Sequence, residues 1–383
     1  MDDTSLGLYL HFPFCVKKCR YCDFLSFPGT MDAMRLYALA MIRELDACAS
    51  LAKGRHVVSI FLGGGTPSVM PARLLREIMG AVRRDFHVDP DAEITMEMNP
   101  GTVNAAVLSF AGDCVNRVSL GVQSFSDSEL AMLGRIHTAA DAERSFALLR
   151  GVGIRNISLD LMSGIPGQTA ESLGESLRRA VGLGPEHISV YSLIVEEGTP
   201  FWDLREKGAL PLPGEDEERD MYHMTKRILA DNGYRRYEIS NYARSGFSCR
   251  HNERYWRRGD YLGFGIGAAS LFAGKRWSNT RDFHEYLENS ADPGRIIRNL
   301  ETLDVRSEIE EFMFLGLREM AGVTEREFRS SFGMDMRDIY GDVLDRLAAE
   351  GVMATDGNGR WYLTERGIDV SNMVLAEFLL GDE

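Results

Sequence analysis

Cys15-Val-Lys-Lys-Cys19-Arg-Tyr21-Cys22 is the stretch of sequence that decides the fold, and it follows directly after an apolar run of strand type, Leu6 to Phe12. Three thiolates on so short a loop can hold three irons of a cubane cluster and leave the fourth iron without a protein ligand. A structural zinc ion would need a fourth ligand, and the only one near is His11, whose spacing is unlike that of a zinc finger. Packing of the cysteines in the core is the third interpretation, against which the neighbouring basic residues argue. We therefore expect an iron–sulfur cluster, with zinc and core packing as the alternatives.

Outward from this loop, the chain from Leu6 to Ile194 alternates short apolar runs with longer stretches of helical period. This alternation is typical of βα units, which build an open doubly wound α/β sheet or a barrel. Six strands are predicted: Leu6–Phe12, Val57–Leu62, Ala92–Met98, Arg117–Val122, Ile154–Leu161 and His187–Leu193. All carboxyl ends of parallel strands open on one face. We therefore expect the residues at those ends to converge on one site, namely the three cysteines, Gly63–Pro67, Glu97, Asn99, Gln123 and Asp160.

The remaining sequence predicts further segments. The stretch Gly208 to Glu218, rich in proline, glycine and acidic residues, is predicted to be an exposed connection leading into a helix that ends near Asn232. The glycine-rich stretch Ser245 to Gly274 is predicted to be irregular. A helical block from Val305, followed by a two-stranded wing over Gly351 to Thr364, is typical of a winged helix. We therefore predict a core domain over residues 1–235, a connecting region over 236–304 and an α+β winged-helix-like domain over 305–383.

Charge and hydropathy limit the class of partner. The net charge of −14 repels a phosphate backbone, and residues 301–383 hold 19 acidic residues against 8 arginines and no lysine, so we expect no nucleic-acid binding. The longest uncharged run, Val57 to Ala72, has 16 residues, short of the roughly 20 that span a bilayer. The sequence also begins without a secretory signal, so we expect a cytoplasmic protein whose cysteines are thiols, ligands or catalysts. Cys48 and Cys114, in apolar surroundings, are predicted core residues.

Several motifs together resemble a known family. The three-cysteine loop resembles the cluster motif of the radical S-adenosylmethionine superfamily. Within it, the chain resembles the family of the oxygen-independent coproporphyrinogen III dehydrogenases and their relatives, the heme chaperones. It does so in Tyr9-Leu-His-Phe-Pro-Phe-Cys15, Gly63-Gly-Gly-Thr66-Pro67, Gly121-Val-Gln123-Ser and Asp160-Leu-Met-Ser-Gly-Ile-Pro166-Gly-Gln. The resemblance covers nearly the whole chain, and it implies a partial (β/α)6 TIM-like barrel, a [4Fe–4S] cluster and S-adenosylmethionine bound to the open iron.

The resemblance also implies which residues contact S-adenosylmethionine. Gly64, Gly65 and Thr66 would let the backbone approach the ligand's amino group, an approach that a Cβ would block, although a tight βα turn is an alternative reason for the glycines. A carboxylate such as Asp160 suits ribose hydroxyls; for Glu97 taken alone, a solvated strand end is the less favoured alternative. The matching positions are Glu97, Gln123, Arg135 and Asp160 for polar groups, Tyr9 and Tyr21 for packing, and Ile194 and Ile266 for contact with adenine.

A second motif lies in the basic segment from Cys249 to Arg258. A heme needs an axial ligand, flat apolar faces and cations for its propionates, which His251, two aromatic residues and several arginines would supply. A histidine buried beside aromatics that pack between domains fits the same composition. The resemblance favours heme binding, because His251-Asn-x-x-Tyr255-Trp256 matches the motif associated with heme in the chaperones. Cys249 is the alternative iron ligand.

Two functions follow from the resemblance. One is a heme chaperone that passes heme to apo-hemoproteins such as respiratory enzymes, and the other is a dehydrogenase that oxidatively decarboxylates coproporphyrinogen III. The dehydrogenases carry a fourth cysteine where this chain has Phe24, and a longer segment before the cysteines, so the chaperone is favoured. The sequence leaves open whether the radical machinery catalyses a reaction. A third role, protein binding by the acidic C-terminal domain, is compatible with either function.

Overall fold

Six parallel strands alternating with helices form the centre of the computed structural model, which describes residues 4–381. The strands are β1 Ser5–Phe12, β2 His56–Gly64, β3 Val88–Met98, β4 Arg117–Gln123, β5 Asn156–Ser163 and β6 His187–Ser192. The helices between them are α1 Met31–Cys48, α2 Ala72–Asp85, α3 Ala105–Cys114, α4 Asp127–Leu133, α5 Ala139–Gly151 and α6 Ala170–Leu183. All six predicted strands are therefore present, with amino ends that differ by up to four residues from the prediction.

The six strands pair in chain order, each parallel to the next. Their side chains are buried on both faces, as β4 shows over its whole length. Val118, Leu120 and Val122 of β4 belong to the apolar core beneath the helices, whereas the alternate residues, such as Ser119 and Gln123, face the inside of the sheet. Cys48 and Cys114 belong to this apolar core.

The sheet does not close into a full barrel. The free edge of β1 pairs with the strand β9 Tyr261–Phe264, and the free edge of β6 pairs with the antiparallel strand β8 Asn241–Ala243. The following elements continue the chain after β6: α7 Pro200–Glu206, α8 Glu215–Asp231, β7 Arg235–Arg236, β8 Asn241–Ala243, α9 Arg250–Trp256, β9 Tyr261–Phe264, β10 Ala269–Phe272, β11 Lys275–Asn279, α10 Phe283–Asn289, α11 Pro293–Ile296 and β12 Ile297–Thr302. Together with the first six strands they complete a sheet of twelve. The fold is thus a partial (β/α)6 barrel extended on both edges, which confirms the predicted class.

The prediction of irregular structure over Ser245 to Gly274 was wrong. This stretch contains α9, β9 and β10. Its strands have only four residues each, too few to show a period of two, and β9 forms because β1 offers it an unpaired edge. Glycine permits the approach: a Cβ on Gly265, whose φ is +100°, would lie 2.8 Å from the carbonyl oxygen of His11.

The last part of the chain forms a separate small core. Its elements are α12 Val305–Gly316, β13 Val323–Thr324, α13 Glu325–Phe332, α14 Met336–Ala349, β14 Met353–Thr355, β15 Arg360–Leu363, α15 Glu365–Asp369 and α16 Ser371–Ala376. The hairpin β14–β15 is the predicted wing, and β13 adds a third strand to it. Seventeen buried apolar residues, from Ile309 to Phe378, make up this core. The predicted domain boundaries at residues 235 and 304 stay a prediction. Among the helices of residues 4–381, none combines the length and the apolar character needed to cross a membrane.

Candidate functional site

A cavity of about 400 Å³ opens at the carboxyl ends of the parallel strands. The chain brings to it the predicted site residues from six strand ends: Cys15, Cys19, Cys22, Tyr21, Gly64, Gly65, Thr66, Glu97, Gln123, Arg135, Asp160 and Ile194. Parallel strands place their carboxyl ends at one edge, so residues separated by almost 180 positions share one wall. We call this space the first cavity.

The three cysteine thiols lie on one side of the first cavity and are half-buried. Cys15 Sγ lies 3.3 Å from Thr66 Oγ1, and Arg135 Nη1 lies 3.5 Å from Cys19 Sγ. Donors of this kind stabilise thiolate sulfur, and the third thiol, Cys22, faces the same space. The set therefore fits a cluster held by three protein thiolates with one position open to the cavity.

Two carboxyl groups lie on the opposite side. Glu97 Oε2 accepts a hydrogen bond of 3.0 Å from the Gly64 backbone N–H, and burial, reinforced by the charge of Asp160, raises the pKa of Glu97 to about 8. Asp160 accepts hydrogen bonds from the hydroxyls of Ser119 and Ser158, at 2.7 Å and 2.9 Å. A cation near these carboxyl groups would favour ionised Glu97, so this wall suits a positively charged ligand.

Gln123 sits at the end of β4 in a backbone conformation that is unusual for a residue with a side chain. Its φ is +68°, and β4 shifts register there against β5. The Tyr191 hydroxyl donates a 2.7 Å hydrogen bond to Gln123 Oε1, which fixes the amide at the cavity wall. Strain of this kind persists where surrounding structure imposes it, and it is frequent at ligand sites.

The β2–α2 turn requires glycine at positions 64 and 65, but for a reason different from the one expected. A Cβ on Gly65 would lie 2.7 Å from the carbonyl oxygen of Phe12 and 2.9 Å from that of Phe14. On Gly64, with φ +106°, it would lie 2.5 Å from the His11 ring. The protein's own β1 end, rather than a ligand, is therefore the nearest obstacle to a side chain at both positions.

Other predicted residues lie elsewhere. Ile194 is largely exposed at the cavity mouth, but Ile266 is fully buried behind β1, where its N–H donates to the Tyr37 hydroxyl at 3.1 Å, so the structure does not bring it to the first cavity. Tyr9 faces a neighbouring space, with its hydroxyl 3.1 Å from His11 Nδ1. Phe24 is 62% exposed and contributes to both spaces.

That neighbouring space, which we call the second cavity, measures about 630 Å³ and lies between the sheet edge and α12. It shares Asp23, Phe24, Gly64 and Glu97 with the first cavity. Aromatic, aliphatic and basic side chains make up most of its wall: Tyr9, Phe24, Leu25, Tyr255, Trp256, Tyr261, Leu271, Arg276, Arg281 and Leu315. Its size and surface suit a flat, apolar molecule with acidic substituents.

His251, the predicted heme ligand, is fully buried behind the second cavity. Its Nδ1 lies 2.9 Å from the Ser59 hydroxyl and its Nε2 lies 2.7 Å from the Tyr255 hydroxyl, while its ring stacks on Phe61 at 5.2 Å. Burial is the main cause that lowers the pKa of His251 to about 3. The imidazole is therefore neutral, both its nitrogens are engaged, and Tyr255 stands between it and the cavity.

The alternative ligand, Cys249, is buried as well. Its Sγ lies 3.6 Å from Glu93 Oε1, and burial raises the pKa of the thiol to about 12. Glu93 also accepts hydrogen bonds from the backbone N–H groups of Arg250 and His251, at 3.1 Å and 3.0 Å. A carboxylate from β3 thus satisfies the first N–H groups of α9, which explains where this helix begins.

Sequence reasoning missed several cavity residues. Ser119 and Tyr191, which hold Asp160 and Gln123, occur within ordinary strand sequence and gave no signal beyond Tyr191's place near the end of β6. Arg276 and Arg281 come from β11 and the loop after it, in a part of the chain that showed no strand pattern.

Comparison with known proteins agrees with this geometry. The sequence profile of the Radical SAM superfamily matches residues 9–180, and that of the HemN C-terminal domain matches residues 303–370. The solved structure of coproporphyrinogen III oxidase (HemN) from Escherichia coli, described as a radical SAM enzyme, superimposes with a TM-score of 0.86 at 23% identity over 98% of this chain and 90% of that one. The fold and the cysteine-lined cavity are those of a radical SAM protein.

Relatives that match over nearly their full length identify the family within this superfamily. The heme chaperone HemW of Lactococcus lactis is 37% identical over 98% of this chain and 97% of its own. HemW of Bacillus subtilis is 37% identical over 97% and 98%, and HemW of Escherichia coli is 37% identical over 98% of each. The chain belongs to the HemW family. Its membership in the superfamily brings a [4Fe–4S] cluster and S-adenosylmethionine as cofactors, which the first cavity fits.

Proposed function

We propose that this protein is a heme chaperone that holds heme in the second cavity and passes it to apo-hemoproteins. The single observation that carries the proposal is the position of an aromatic, arginine-bearing cavity directly against the cysteine-lined one. The HemW relatives are named for this activity. We propose that the protein acts in the cytoplasm. Its six cysteines are all free thiols, as is usual in that reducing compartment.

The first cavity is proposed to hold the resident cofactors. Cys15, Cys19 and Cys22 hold the cluster, while Glu97 and Asp160 face the cationic and hydroxyl groups of S-adenosylmethionine. When bound and reduced, this pair of cofactors supplies one-electron cleavage of a sulfonium bond. The chain's own residues orient the ligand and limit water, with the following groups in contact: Tyr21, Gly64, Gly65, Thr66, Gln123, Arg135 and Ile194.

The second cavity is proposed to take the heme. Tyr261 and Trp256 offer flat faces to the macrocycle, and Leu271 and Leu315 offer apolar contact. Arg276 and Arg281 are the cations for the two propionates, because guanidinium groups bind carboxylates with paired hydrogen bonds. The cavity is open toward solvent along one side, which suits a protein that must release its ligand.

The iron ligand we propose is Tyr255 rather than His251. Tyrosine is an established axial ligand type, and this phenol lies on the cavity wall with His251 Nε2 2.7 Å behind it. Tyr255 Oη would bind the ferric iron as phenolate, its proton leaving as water with a hydroxide brought by the iron, and the Nε2–H of neutral His251 would donate a hydrogen bond to the phenolate oxygen.

Heme transfer tests the function. Protein loaded with ferric heme is expected to pass it to an apo-hemoprotein such as apomyoglobin, and the variant with Arg276→Glu and Arg281→Glu is expected to bind heme weakly and transfer little. Arg144→Glu, on the exposed face of α5, is the matched control. Absence of heme binding by the unaltered protein, or equal transfer by all variants, would contradict the proposal.

Ligand spectra test the iron ligand separately. Tyr255→Phe is expected to abolish the resonance Raman bands of an iron-bound phenolate, whereas His251→Gln is expected to keep those bands and shift them. Phenolate bands that persist in Tyr255→Phe would assign the ligand to Tyr9 or Tyr261, which face the same cavity. If the unaltered protein shows the bands of imidazole ligation and His251→Gln loses them, the iron ligand is His251 instead.

The second candidate function is decarboxylation of coproporphyrinogen III. The fold likeness to HemN favours it, whereas Phe24 replaces the fourth cysteine of the dehydrogenases. We expect no formation of protoporphyrinogen IX under anaerobic, reducing conditions with S-adenosylmethionine. Steady multiple turnover by pure protein would assign the enzymatic function instead.

A further inference from the structure

Two histidines and an aspartate meet at the amino ends of β2 and β3, the end of the barrel opposite the first cavity. Within residues 4–381, His56, His87 and Asp89 form the one group of three such side chains whose donor atoms all lie within 4.8 Å of one another. His56 Nδ1 lies 3.3 Å from Asp89 Oδ1, and His87 Nε2 lies 3.7 Å from the same oxygen. The two imidazole rings meet edge to face at 4.8 Å.

The two nitrogen–oxygen separations are close to those between ligands of one metal ion. Bonds of about 2.0 to 2.2 Å at tetrahedral angles put neighbouring donor atoms roughly 3.3 Å apart. The observed spacing therefore leaves room for one ion between the three groups after only small side-chain rotations. Two imidazoles and one carboxylate are a donor set for a borderline divalent ion such as Zn²⁺.

The backbone holds the ligands in place. Val57 N–H donates to the His87 carbonyl at 2.8 Å, and Val57 pairs with Val88, so sheet pairing sets His56 beside His87. The N–H of His56 donates to the Thr4 carbonyl at 2.8 Å. Sites built on strands keep their geometry better than sites on free loops, because only the side chains must be ordered on binding.

We propose that His56, His87 and Asp89 form a binding site for a divalent transition-metal ion, with Zn²⁺ as its representative. Because both imidazoles are exposed to solvent, at least one coordination position is left to water. The ion joins the start of β2 to the start of β3 and stabilises this end of the barrel. The site is separate from the cysteine loop, and it does not depend on the proposed heme function.

Calorimetry on the cluster-loaded full-length protein tests the site, with ZnCl2 as the probe. We expect one equivalent of Zn²⁺ to bind, and His87→Ala or Asp89→Asn to weaken this binding by at least about tenfold. His223→Ala is the matched control. His223 is also exposed and lies 3.4 Å from the Asp369 carboxylate, but among residues 4–381 these two side chains do not belong to a group of three metal-ligating side chains. Equal Zn²⁺ binding in the unaltered protein, His87→Ala and Asp89→Asn would overturn the proposal.

Zinc-edge X-ray absorption separates this site from the cysteines. We expect a first coordination shell of nitrogen and oxygen only, together with the scattering from the outer atoms of imidazole rings. The double variant His56→Ala, His87→Ala should lose the imidazole scattering. A sulfur shell at about 2.3 Å in place of it would show that zinc enters the cysteine loop, and would overturn the assignment. Melting temperatures measured in the presence of a chelator check that each variant has folded, and we expect them to be equal.

Discussion

Arg135 is the residue that joins the cysteine loop to the strand ends. Its guanidinium contacts Cys19 Sγ at 3.5 Å, donates to the Gly121 carbonyl at 2.6 Å and also bonds Asn99. Burial by itself would lower the pKa of Arg135, but the Tyr21 and Cys19 side chains beside it raise that pKa overall, so the guanidinium stays charged. A fixed positive charge and a hydrogen bond to sulfur both favour the reduced state of a cluster.

Arg135→Gln is therefore expected to lower the midpoint potential of the cluster. A change of about 1.4 kcal/mol in the relative stability of the two redox states corresponds to roughly 60 mV for one electron, and we expect a decrease of about that size. The potential is measured by titration without S-adenosylmethionine. Arg179→Gln, whose guanidinium bonds Phe125 O and Glu143 away from the first cavity, is the control. An unchanged potential in Arg135→Gln would mean that the guanidinium does not act on the cluster.

A substitution at Gly65 separates the two explanations for this glycine, close contact with the end of β1 and close approach of the ligand. Since its Cβ would meet the carbonyl oxygens of Phe12 and Phe14, Gly65→Ala should displace the base of the cysteine loop at a cost of about 1–3 kcal/mol. We expect reduced iron content after reconstitution as well as weaker S-adenosylmethionine binding. Gly80→Ala, in α2 with open space around it, should leave both unchanged. Full iron content with lost cofactor binding would favour the ligand-approach explanation.

At the scale of elements, one buried carboxyl group connects α1 to the segment that extends the sheet. Glu44 accepts hydrogen bonds from the Gly265 backbone N–H at 2.9 Å and from the Tyr286 hydroxyl at 2.6 Å, and also from Asn279. Burial raises the pKa of Glu44 to about 7, against 4.5 for an ordinary glutamate. The folded state thus binds more protons than the unfolded state between these two pH values.

The sign of the pH effect follows from this difference. Stability that Glu44 contributes is greatest below pH 4.5 and falls as the pH rises toward 7, by up to about 3 kcal/mol. Glu44→Gln removes the titration, so its melting temperature relative to the unaltered protein should rise between pH 5 and pH 8. Glu143→Gln, at an exposed ion pair, should show no such trend. A pH-independent difference for Glu44→Gln would contradict the assigned pKa.

Element prediction succeeded where local sequence holds enough information. Each of the six parallel strands carries several apolar residues that are buried beneath the helices, so the local sequence indicated them. By contrast, β9 depends on an edge that β1 provides from the other end of the chain. The burial of His251 was equally invisible, because Ser59, its partner on β2, lies 192 residues away in sequence. The converging strand-end residues were predictable, whereas the walls of the second cavity were not.

At the scale of the whole molecule, ion pairs connect the C-terminal core to the sheet. Glu311 on α12 is 6% exposed and bonds Arg258 Nε at 3.1 Å and Arg276 Nη2 at 2.6 Å. Arg257 and Glu319 form a second pair at 2.9 Å. Because Arg276 also faces the second cavity, the attachment of the C-terminal core and the shape of that cavity depend on the same side chains.

Glu311→Gln is expected to destabilise the protein by about 1–2 kcal/mol, since Arg258 and Arg276 then keep only their longer ion pairs, with Glu308 at 3.3 Å and Glu301 at 3.7 Å. Hydrogen exchange should become faster in α12, and thermal unfolding should begin at a lower temperature. Glu350→Gln, which removes an exposed pair with Arg346, should change stability by less than about 0.5 kcal/mol. Unchanged exchange in α12 would show that apolar contacts alone hold the C-terminal core.

The pairing of β1 with β9 also sets the order of events during synthesis. The cysteines follow β1, yet one edge of that strand stays open until residues 261–264 have been made, and the His11 carbonyl is held by a Tyr37 hydroxyl that also receives the Ile266 N–H. At about 5–20 residues per second, the ribosome needs roughly 10 to 50 s to cover that interval. Because the strand before the thiols is incomplete during this interval, we expect the cluster to be inserted only after residues 261–264 have paired with β1. Nascent chains arrested before residue 260 are expected to acquire no stable cluster, whereas full-length chains still bound to the ribosome through a linker should do so.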